Sequence, residues 1–425
     1  MTVRRSAATL AATVAVFCAA AAPVAVAAPS PSPSPSAALP SGLYGTKDPT
    51  YDGVWRQSLA FLAQRVEGVT PAKESVDWLI AQQCANGAYA AYRADVSKPC
   101  DKKTVLDTNA TAAAVQAFVE VGGHRDTVNN SVRWLKSVQN EDGGWGYTPG
   151  APSDANSTSL VIGALARQGQ RLADITTPEG KTPYDPLLAL AIPCGGKDGG
   201  AFAYQPDKSG KLAANADATA AAVLGTMGKA MAVGNNAAAG NAPSCHPGSD
   251  LTPEQAAQNG AHFLADALST SGHLDLAPMP GATDSTPQPD VGNTADAVVA
   301  LSAAGHQDKA DKAVTWLKKN SKAWAEQNGP AAYAQLVLAA HATGADARDF
   351  GGVNLIDKLN ATGPTPAAIT TPDPSADTGY LPTEKDEVHS GDDVIGGVWW
   401  YVGIGLVVGA GAGFLISGRR KNQQP

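Results

Sequence analysis

The chain has 425 residues, with 31 basic and 39 acidic side chains, a formal net charge of −8, and 16% charged and 6% aromatic residues. This composition excludes a coiled coil and a collagen, and the hydrophobic content of 44% is too high for general disorder. A nucleic-acid-binding protein needs a basic surface to neutralise phosphates, so the acidic balance also excludes a nucleic-acid partner.

The N-terminal segment has the three parts of a secretory signal peptide. Arg4 and Arg5 form a positive start, residues 7–22 are small and apolar, and Ala25-Val26-Ala27 fits the small-x-small cleavage rule. We therefore predict a signal peptide at 1–27. A Pro/Ser-rich linker is predicted at 28–50, because alternating Ser and Pro forms a stiff, solvated spacer.

Four cysteines lie beyond the signal peptide, namely Cys84, Cys100, Cys194 and Cys245. An even number agrees with the oxidising compartment that a signal peptide implies. Three pairings are open. Pairing of sequence neighbours is favoured, Cys84 with Cys100 and Cys194 with Cys245, because each pair brackets one insertion in a repeat. The spacing matches no zinc motif, so we predict no metal site.

The segment after the linker repeats itself. Trp134-Leu135 is followed by Gln139, Gly143 and Trp145, and the same pattern stands 56 residues earlier. That earlier copy consists of Trp78-Leu79, Gln83, Gly87 and Tyr89. After each loop a cluster of Asp, Asn, Ser or Thr leads into an Ala-rich run, which is typical of a capped helix start. Such a period indicates stacked units that bury their faces only against one another.

Each repeat is predicted to be a pair of helices, an amphipathic outer one and an inner one that is small and apolar nearly all round. Inner helices are predicted near 53–66, 107–121, 156–168, 216–231, 293–304 and 330–342. Outer helices are predicted near 72–83, 129–138, 184–192, 253–269, 308–319 and 350–359. Six of each suffice to close a double ring, so we predict one all-α domain of helical-hairpin repeats at 51–360.

The motif Trp-Leu-x-x-x-Gln-x-x-x-Gly-x-Trp at Trp134–Trp145 resembles the prenyltransferase/squalene oxidase repeat of terpenoid cyclases and protein prenyltransferases. The resemblance implies the (α/α)6 toroid of that superfamily, in agreement with the helix count. It indicates a fold rather than a reaction, because the Gln and Trp of the repeat tie the loops together.

The residues that carry chemistry in that superfamily have no counterpart here. A class II cyclase uses an Asp-x-Asp-Asp acid, and the one Asp-Asp pair of this chain, Asp392-Asp393, lies outside the repeats. The histidines are scattered, and no Gly-x-Ser-x-Gly elbow or P-loop occurs. We therefore predict no catalytic residue, metal or cofactor. Paired carboxylates of a sugar hydrolase stay open, because such residues come from distant loops.

The segment Asn293-Thr294-Ala295-Asp296 resembles the inner-helix starts of the cobalamin carriers, intrinsic factor and transcobalamin, whose polar residues bind corrin amides. The same offset before the other Ala-rich runs holds further polar residues, and aromatic residues lie in the loops that enter the same end. The predicted ligand contacts are Asn109, Thr111, Asn156, Thr158, Asp217, Thr219, Asn293 and Thr294, with Trp145, Tyr147, Phe202 and Tyr204 as stacking surfaces.

The C-terminal region is predicted to be a membrane anchor. Residues 396–417 are apolar and uncharged, and about 20 such residues span a bilayer. Trp399 and Trp400 suit its interface, and the basic tail at 418–425 suits the cytoplasmic side. A stalk rich in Pro, Thr and acidic residues is predicted at 361–395, between the toroid and the anchor.

These features predict a single-pass cell-membrane protein with an extracellular toroid and a cytoplasmic C-terminus. The favoured function is a non-catalytic receptor that holds a small molecule, cobalamin-like in kind, at the mouth formed by the inner-helix starts. The expected partners are that ligand, the membrane and a membrane transport protein. Two alternatives stay open, a protein-interaction module at the cell surface, and an enzyme acting on an isoprenoid or a polysaccharide.

Overall fold

The computed structural model describes residues 39–235, 242–276 and 287–367. The predicted signal peptide, membrane anchor and basic tail lie outside these ranges, as do most of the predicted stalk and the first part of the linker. Within these ranges, no helix has the length and apolar character that crossing a membrane requires.

The described residues are all-α, with one two-stranded sheet. The helices are Gly53–Val66 (α1), Lys73–Ala81 (α2), Thr108–Val121 (α3), Arg125–Ser137 (α4), Ala155–Arg167 (α5), Tyr184–Ala189 (α6), Ala216–Thr226 (α7), Pro253–Ser269 (α8), Val291–Ala303 (α9), Gln307–Asn320 (α10), Lys322–Asn328 (α11), Pro330–Thr343 (α12) and Leu355–Asn360 (α13). Strands β1 (Leu274–Asp275) and β2 (Pro289–Asp290) pair antiparallel, with Leu274 opposite Asp290.

Six of the helices contact one another in cyclic order. Helix α1 packs on α3, α3 on α5, α5 on α7, α7 on α9, α9 on α12, and α12 on α1. Each of these inner helices also contacts the next main helix of the chain, which gives an outer set of α2, α4, α6, α8, α10 and α13. Helices with small side chains and helices with bulky ones alternate along the sequence, and they form the inner and the outer layer respectively.

The inner helices run in parallel, as contacts at both of their ends show. At the C-terminal ends, Arg167 Nε lies 2.6 Å from Glu120 Oε1, and Arg65 Nε donates to the Glu120 carbonyl. At the N-terminal ends, Asn156 Nδ2 lies 2.6 Å from Asp217 Oδ2. All inner-helix starts in these contacts therefore gather at one end of the ring, which we call the mouth.

The middle of the ring is filled. Residues 110–118 of α3, 217–226 of α7 and 294–303 of α9 are buried at every position, so no side of these helices borders water. Their small side chains allow the helices to approach closely, and alanine also has the highest helix propensity. A helix that is apolar all round is stable only when it is packed on all sides, as it is here.

A segment that the sequence analysis assigned to a helix closes the end of the ring opposite the mouth. The predicted helix at 216–231 ends at Thr226, because Gly228 adopts a positive φ of 61° and turns the chain. Residues 230–233 are then buried, and the Met231 N–H donates to Gln116 Oε1 of α3. Lys229 Nζ donates to the Ala303 carbonyl of α9. We call residues 228–235 the plug segment.

The Gln and Trp of the repeat motif hold loops in place. Trp145 is buried, and its indole Nε1 donates to the Leu135 carbonyl at 2.7 Å. Gln139 Nε2 donates to the Gly143 carbonyl, and Gly143 has a positive φ of 92°. A side chain at Gly143 would strike the Thr182 carbonyl, so the motif requires glycine where the loop abuts the next outer helix.

Both disulfides join sequence neighbours, Cys84 with Cys100 and Cys194 with Cys245, which confirms the favoured pairing. The limits of the folded part are wider than 51–360. Tyr44, placed in the linker by sequence, is fully buried, and its backbone N–H donates to Gln57. The Ala367 N–H, placed in the stalk, donates to the Thr70 carbonyl. Composition did not reveal these limits, because a short polar segment with a single aromatic residue has the composition of a linker.

Candidate functional site

The predicted polar residues all lie in the first turns of inner helices, at the mouth. The N-caps are the residues before them, since Asp107, Asp154, Asn215 and Asp290 each accept a hydrogen bond from a backbone N–H three residues on. Asn109, Asn156 and Asp217 therefore stand two positions inside their helices, and Asn293 stands three. The counterpart of Asn109 in α9 is Gly292, so Asn293 is out of register with the other three.

The four threonines are buried and join each helix to the loop before it. Thr111, Thr158, Thr219 and Thr294 stand four residues after their caps, and each hydroxyl accepts from a loop N–H, that of Tyr89, Trp145, Phe202 or Leu274 respectively. All four are fully buried. These hydroxyls are occupied by the protein itself, so the structure assigns the threonines to the core and not to a ligand surface.

The four aromatic residues divide into two pairs. Trp145 and Phe202 are buried in the core, so their rings do not supply the predicted stacking surfaces. Tyr147 and Tyr204 are 37% and 39% exposed. The backbone carbonyl of Tyr147 accepts from the Thr108 N–H at 2.9 Å, and that of Tyr204 accepts from the Ala155 N–H at 3.1 Å. Each tyrosine thus fixes one inner-helix start.

The hydroxyls of both tyrosines lie near cap carboxylates, that of Tyr147 near Asp107 and that of Tyr204 near Asp154, close enough to shift their pKa values. Burial, and after it the carboxylate, raises the pKa of each tyrosine. These two Asp–Tyr pairs repeat the same geometry at neighbouring helices. Sequence reasoning missed Asp107 and Asp154 as members of the site, because a cap residue at a helix start is ordinarily only structural.

Three carboxylates lie close enough at the mouth to affect one another. Asp217 is 4% exposed, and burial, assisted by the charges of Asp290 and Asp154, raises its pKa to about 6. Burial also raises the pKa of Asp154 to about 6 and that of Asp290 above its ordinary value. Asn156 Nδ2 donates to Asp217 Oδ2, and Asn293 Nδ2 donates to Asp290 Oδ2 at 2.7 Å.

Four acceptor oxygens at the mouth have no donor within the described residues. They are the Oδ1 atoms of Asn109, Asn156, Asp217 and Asn293. Because Asn156 and Asn293 donate their amide nitrogens to carboxylates, the orientation of both amides is fixed and the free atom is the oxygen. A shielded acceptor without a donor destabilises a protein by about 1–3 kcal/mol, and functional sites are where such groups are tolerated.

The site has acidic and amide oxygens but lacks the marks of a metal centre. Among the residues in 39–235, 242–276 and 287–367, no group of three or more His, Cys, Asp or Glu side chains could hold a metal ion. The arrangement instead presents hydrogen-bond acceptors next to two half-exposed phenol rings, and such surfaces bind groups that donate hydrogen bonds.

No family model matches the chain. A drimenyl diphosphate synthase from Streptantibioticus cattleyicolor is 36% identical over 112 residues, which are 26% of this chain and 19% of that protein. One from Streptomyces showdoensis is 36% identical over 110 residues, 24% of this chain and 19% of that protein. This similarity agrees with the terpenoid-cyclase resemblance of the repeat motif. The chain spans about a fifth of the length of either relative.

The solved structures to which the chain is similar share little sequence with it. A glycosidase has a TM-score of 0.42 at 12% identity, covering 68% of this chain and 87% of its own. A sugar epimerase from a ruminal bacterium has a TM-score of 0.41 at 15% identity, covering 66% and 80%. Scores below 0.5 assign no activity. None of these proteins is a cobalamin carrier, so that part of the resemblance stays a prediction.

Proposed function

We propose that the folded part is an (α/α)6 toroid that serves as a non-catalytic binding protein, holding one small molecule at its mouth. The observation that carries the proposal is the set of four Oδ1 acceptors, on Asn109, Asn156, Asp217 and Asn293, for which the described part of the chain supplies no donor. A ligand with hydrogen-bond donors, such as the amides of a corrinoid, offsets their desolvation. Tyr147 and Tyr204 offer the apolar contact that such a ligand also needs.

The filled ring supports binding at the mouth over chemistry in a deep cavity. Cyclisation of an isoprenoid needs an enclosed space for a long apolar chain, whereas the inner helices here are buried all round and the plug segment closes the far end. A ligand enters the mouth from solvent past the exposed edges of the Tyr147 and Tyr204 rings. This geometry suits capture and release.

The proposed setting is the outer face of a cell membrane. The two disulfides favour an oxidising compartment. The signal peptide at 1–27, the stalk at 361–395 and the anchor at 396–417 are part of the same proposal and lie outside or largely outside the described residues. A receptor in this position would hand its ligand to a membrane transport protein.

An enzyme is the second candidate, because carboxylates with raised pKa values are the groups that general acid catalysis uses. Asp217 and Asp154 both have a pKa of about 6, which leaves a fraction of each protonated near neutral pH. A hydrolase acting on a polysaccharide would use one such group as an acid. This candidate predicts turnover of a glycan that Asp217→Asn abolishes.

The test is native mass spectrometry of the full chain, released from detergent micelles, with and without cobalamin. We expect a mass increase of one cobalamin that the double change Asn156→Ala/Asp217→Ala removes. The matched control is Asn320→Ala/Asp311→Ala on the exposed side of α10. If the protein carries no bound ligand either before or after cobalamin is added, the proposal of a corrinoid ligand is refuted. Partner capture that survives the double change would favour an interaction module.

A further inference from the structure

The exposed large apolar side chains of the described residues are confined to one kind of connection. They are Tyr51, Val96, Val105, Tyr147, Tyr204 and Leu276. Each lies in a segment that leads into an inner helix, namely α1, α3, α3, α5, α7 and α9 in turn. Because the inner-helix starts form the mouth, apolar surface is concentrated around it. Scattered apolar residues need no explanation, but a set restricted to one face indicates an interaction site.

Carboxylates occupy the same end of the ring. Asp52, Asp107, Asp154 and Asp290 precede α1, α3, α5 and α9, and Asp217 lies in the first turn of α7. Arg56 forms an ion pair with Asp52 at 3.4 Å. Within the described residues, no Lys or Arg forms an ion pair with Asp154, Asp217 or Asp290. Three neighbouring carboxylates therefore have no cationic partner among the residues that the structure describes.

Asp217 shows that this cluster has an incomplete environment. Its side chain is more than nine-tenths buried, Oδ2 accepts from Asn156, and Oδ1 has no donor in the described structure. Asp154 and Asp290 lie near enough to repel its charge. A buried carboxylate with one free oxygen and two acidic neighbours is stabilised most by a cation that donates N–H bonds.

We propose that the ligand of the mouth carries an ammonium or guanidinium-type cation on an apolar body. This inference rests on the proposed binding function and names a cationic class of ligand in place of the corrinoid amides. The cation is held by Asp217, Asp290 and the Asn156 oxygen, and the apolar body lies on the partly exposed ring of Tyr204.

Tyr204 is a neighbour of Asp217 at the mouth. The Tyr204 hydroxyl lies near Asp154 and close enough to Asp217 for the charge of that carboxylate to act on it, while the ring is 39% exposed. In this proposal a rotation of the Tyr204 ring, rather than a movement of the helices, gives the cation access to the free oxygen. A cation that enters then replaces the tyrosine as the neighbour of the acidic group.

Binding of a cation is expected to weaken in acid. Asp217 faces Asp154, Asp290, Asn156 and Tyr204, and of these groups only the carboxylates change charge between pH 5 and pH 7. Protonation of Asp217 and Asp154, each with a pKa of about 6, removes the charge that attracts the ligand. A neutral ligand of the same shape would bind equally at both pH values.

The probe pair is benzamidine and benzamide, which have the same shape and differ in charge. Isothermal titration of the full chain in detergent at pH 7 is expected to show benzamidine bound at least about tenfold more tightly than benzamide, since 1.4 kcal/mol is a factor of ten. Asp217→Asn should remove this preference. Asp174→Asn, at an exposed ion pair with Arg171, should not. At pH 5 the preference of the unchanged protein should shrink several-fold.

Two further arms identify the source of the cation and separate the two proposals. A capped Tyr-Arg-Leu peptide that binds more tightly than benzamidine, and than its citrulline counterpart, would point to an arginine of a protein partner. Benzamidine alone would point to a small metabolite. Equal binding of benzamidine and benzamide, or no binding of either, overturns the proposal that the ligand carries a cation. If cobalamin still binds in that case and Asn156→Ala/Asp217→Ala removes it, the binding function stands.

Discussion

Asn156 and Asp217 join two neighbouring inner helices through one hydrogen bond, in which Asn156 Nδ2 donates to Asp217 Oδ2 at 2.6 Å. Each residue stands two positions after its helix cap, so the pair links equivalent points of two repeats. Oδ1 of both side chains then has no donor among residues 39–235, 242–276 and 287–367. The contact therefore orders the mouth and at the same time leaves acceptors for a ligand.

The contribution of Asp217 to the stability of the folded protein is expected to fall as the pH rises from 3.8 to about 6. The pKa of Asp217 is raised from 3.8 to about 6, so the folded state holds a proton that the unfolded state has released. Stability falls with pH wherever the folded state binds more protons. Asp217→Asn should therefore raise the free energy of unfolding at pH 7 by about 2 kcal/mol.

Urea unfolding of Asp217→Asn and the unchanged protein at pH 4 and pH 7 measures this effect. Asn keeps the acceptor for Asn156, so the hydrogen bond between the helices survives. The gain should be present at pH 7 and small at pH 4, where the carboxyl is already protonated. Equal effects at both values would show that the charge of Asp217 is not what destabilises the fold.

Thr158→Val should destabilise the fold by about 2 kcal/mol, since a buried N–H loses its acceptor. The Thr158 hydroxyl accepts from the Trp145 N–H at 3.1 Å, and valine has the same shape without the oxygen. Thr315→Val on the exposed side of α10 is the control, and it should change stability by less than about 0.5 kcal/mol. Equal small effects at both positions would mean that the loop N–H finds another partner.

The helix pairs were predictable because their signals are local. Asp107, Asp154 and Asp290 each precede an Ala-rich run and each forms a capping bond, so the starts of the inner helices fall within one or two residues of the predicted ones. Cyclic contact between the six inner helices follows from their small, evenly apolar surfaces. A glycine ended α7 early at Thr226, and α11 was absent from the prediction.

The roles of the site residues were less predictable, because they depend on contacts between distant segments. Thr111 and Asn109 stand two residues apart in the same turn, yet the first serves the core and the second lies partly exposed. Trp145 and Tyr147 differ in the same way. Composition does not tell which face of a turn meets the preceding loop. The carboxylates of Asp154 and Asp290 entered the site only when the neighbouring helices were seen side by side.

Loss of the longer disulfide loop is expected to affect stability more than loss of the shorter one. Cys194 and Cys245 are 51 residues apart, and Cys84 and Cys100 are 16 apart. Chain entropy assigns about 4 kcal/mol to the first bridge and about 3 kcal/mol to the second. Paired Cys→Ser variants unfolded in guanidinium chloride give both values. A larger loss at Cys84–Cys100 would mean that local packing dominates over loop closure.

Gly163→Ala is expected to loosen the plug segment. A Cβ at this position of α5 would lie 2.8 Å from Ala230 Cα and 2.9 Å from the Lys229 carbonyl oxygen. Alanine favours a helix over glycine by about 1 kcal/mol, but overpacking against backbone costs about 1–3 kcal/mol, so the net effect is destabilising. Hydrogen exchange of the Met231 N–H, bonded to Gln116 Oε1, should then accelerate by an order of magnitude or more.

Gly234→Ala is the control in the same segment, because nothing lies within 4 Å of the added Cβ. If Gly163→Ala is instead more stable and the exchange of Met231 is unchanged, helix propensity outweighs the close contact of the added Cβ. The plug segment would then shift without a loss of stability.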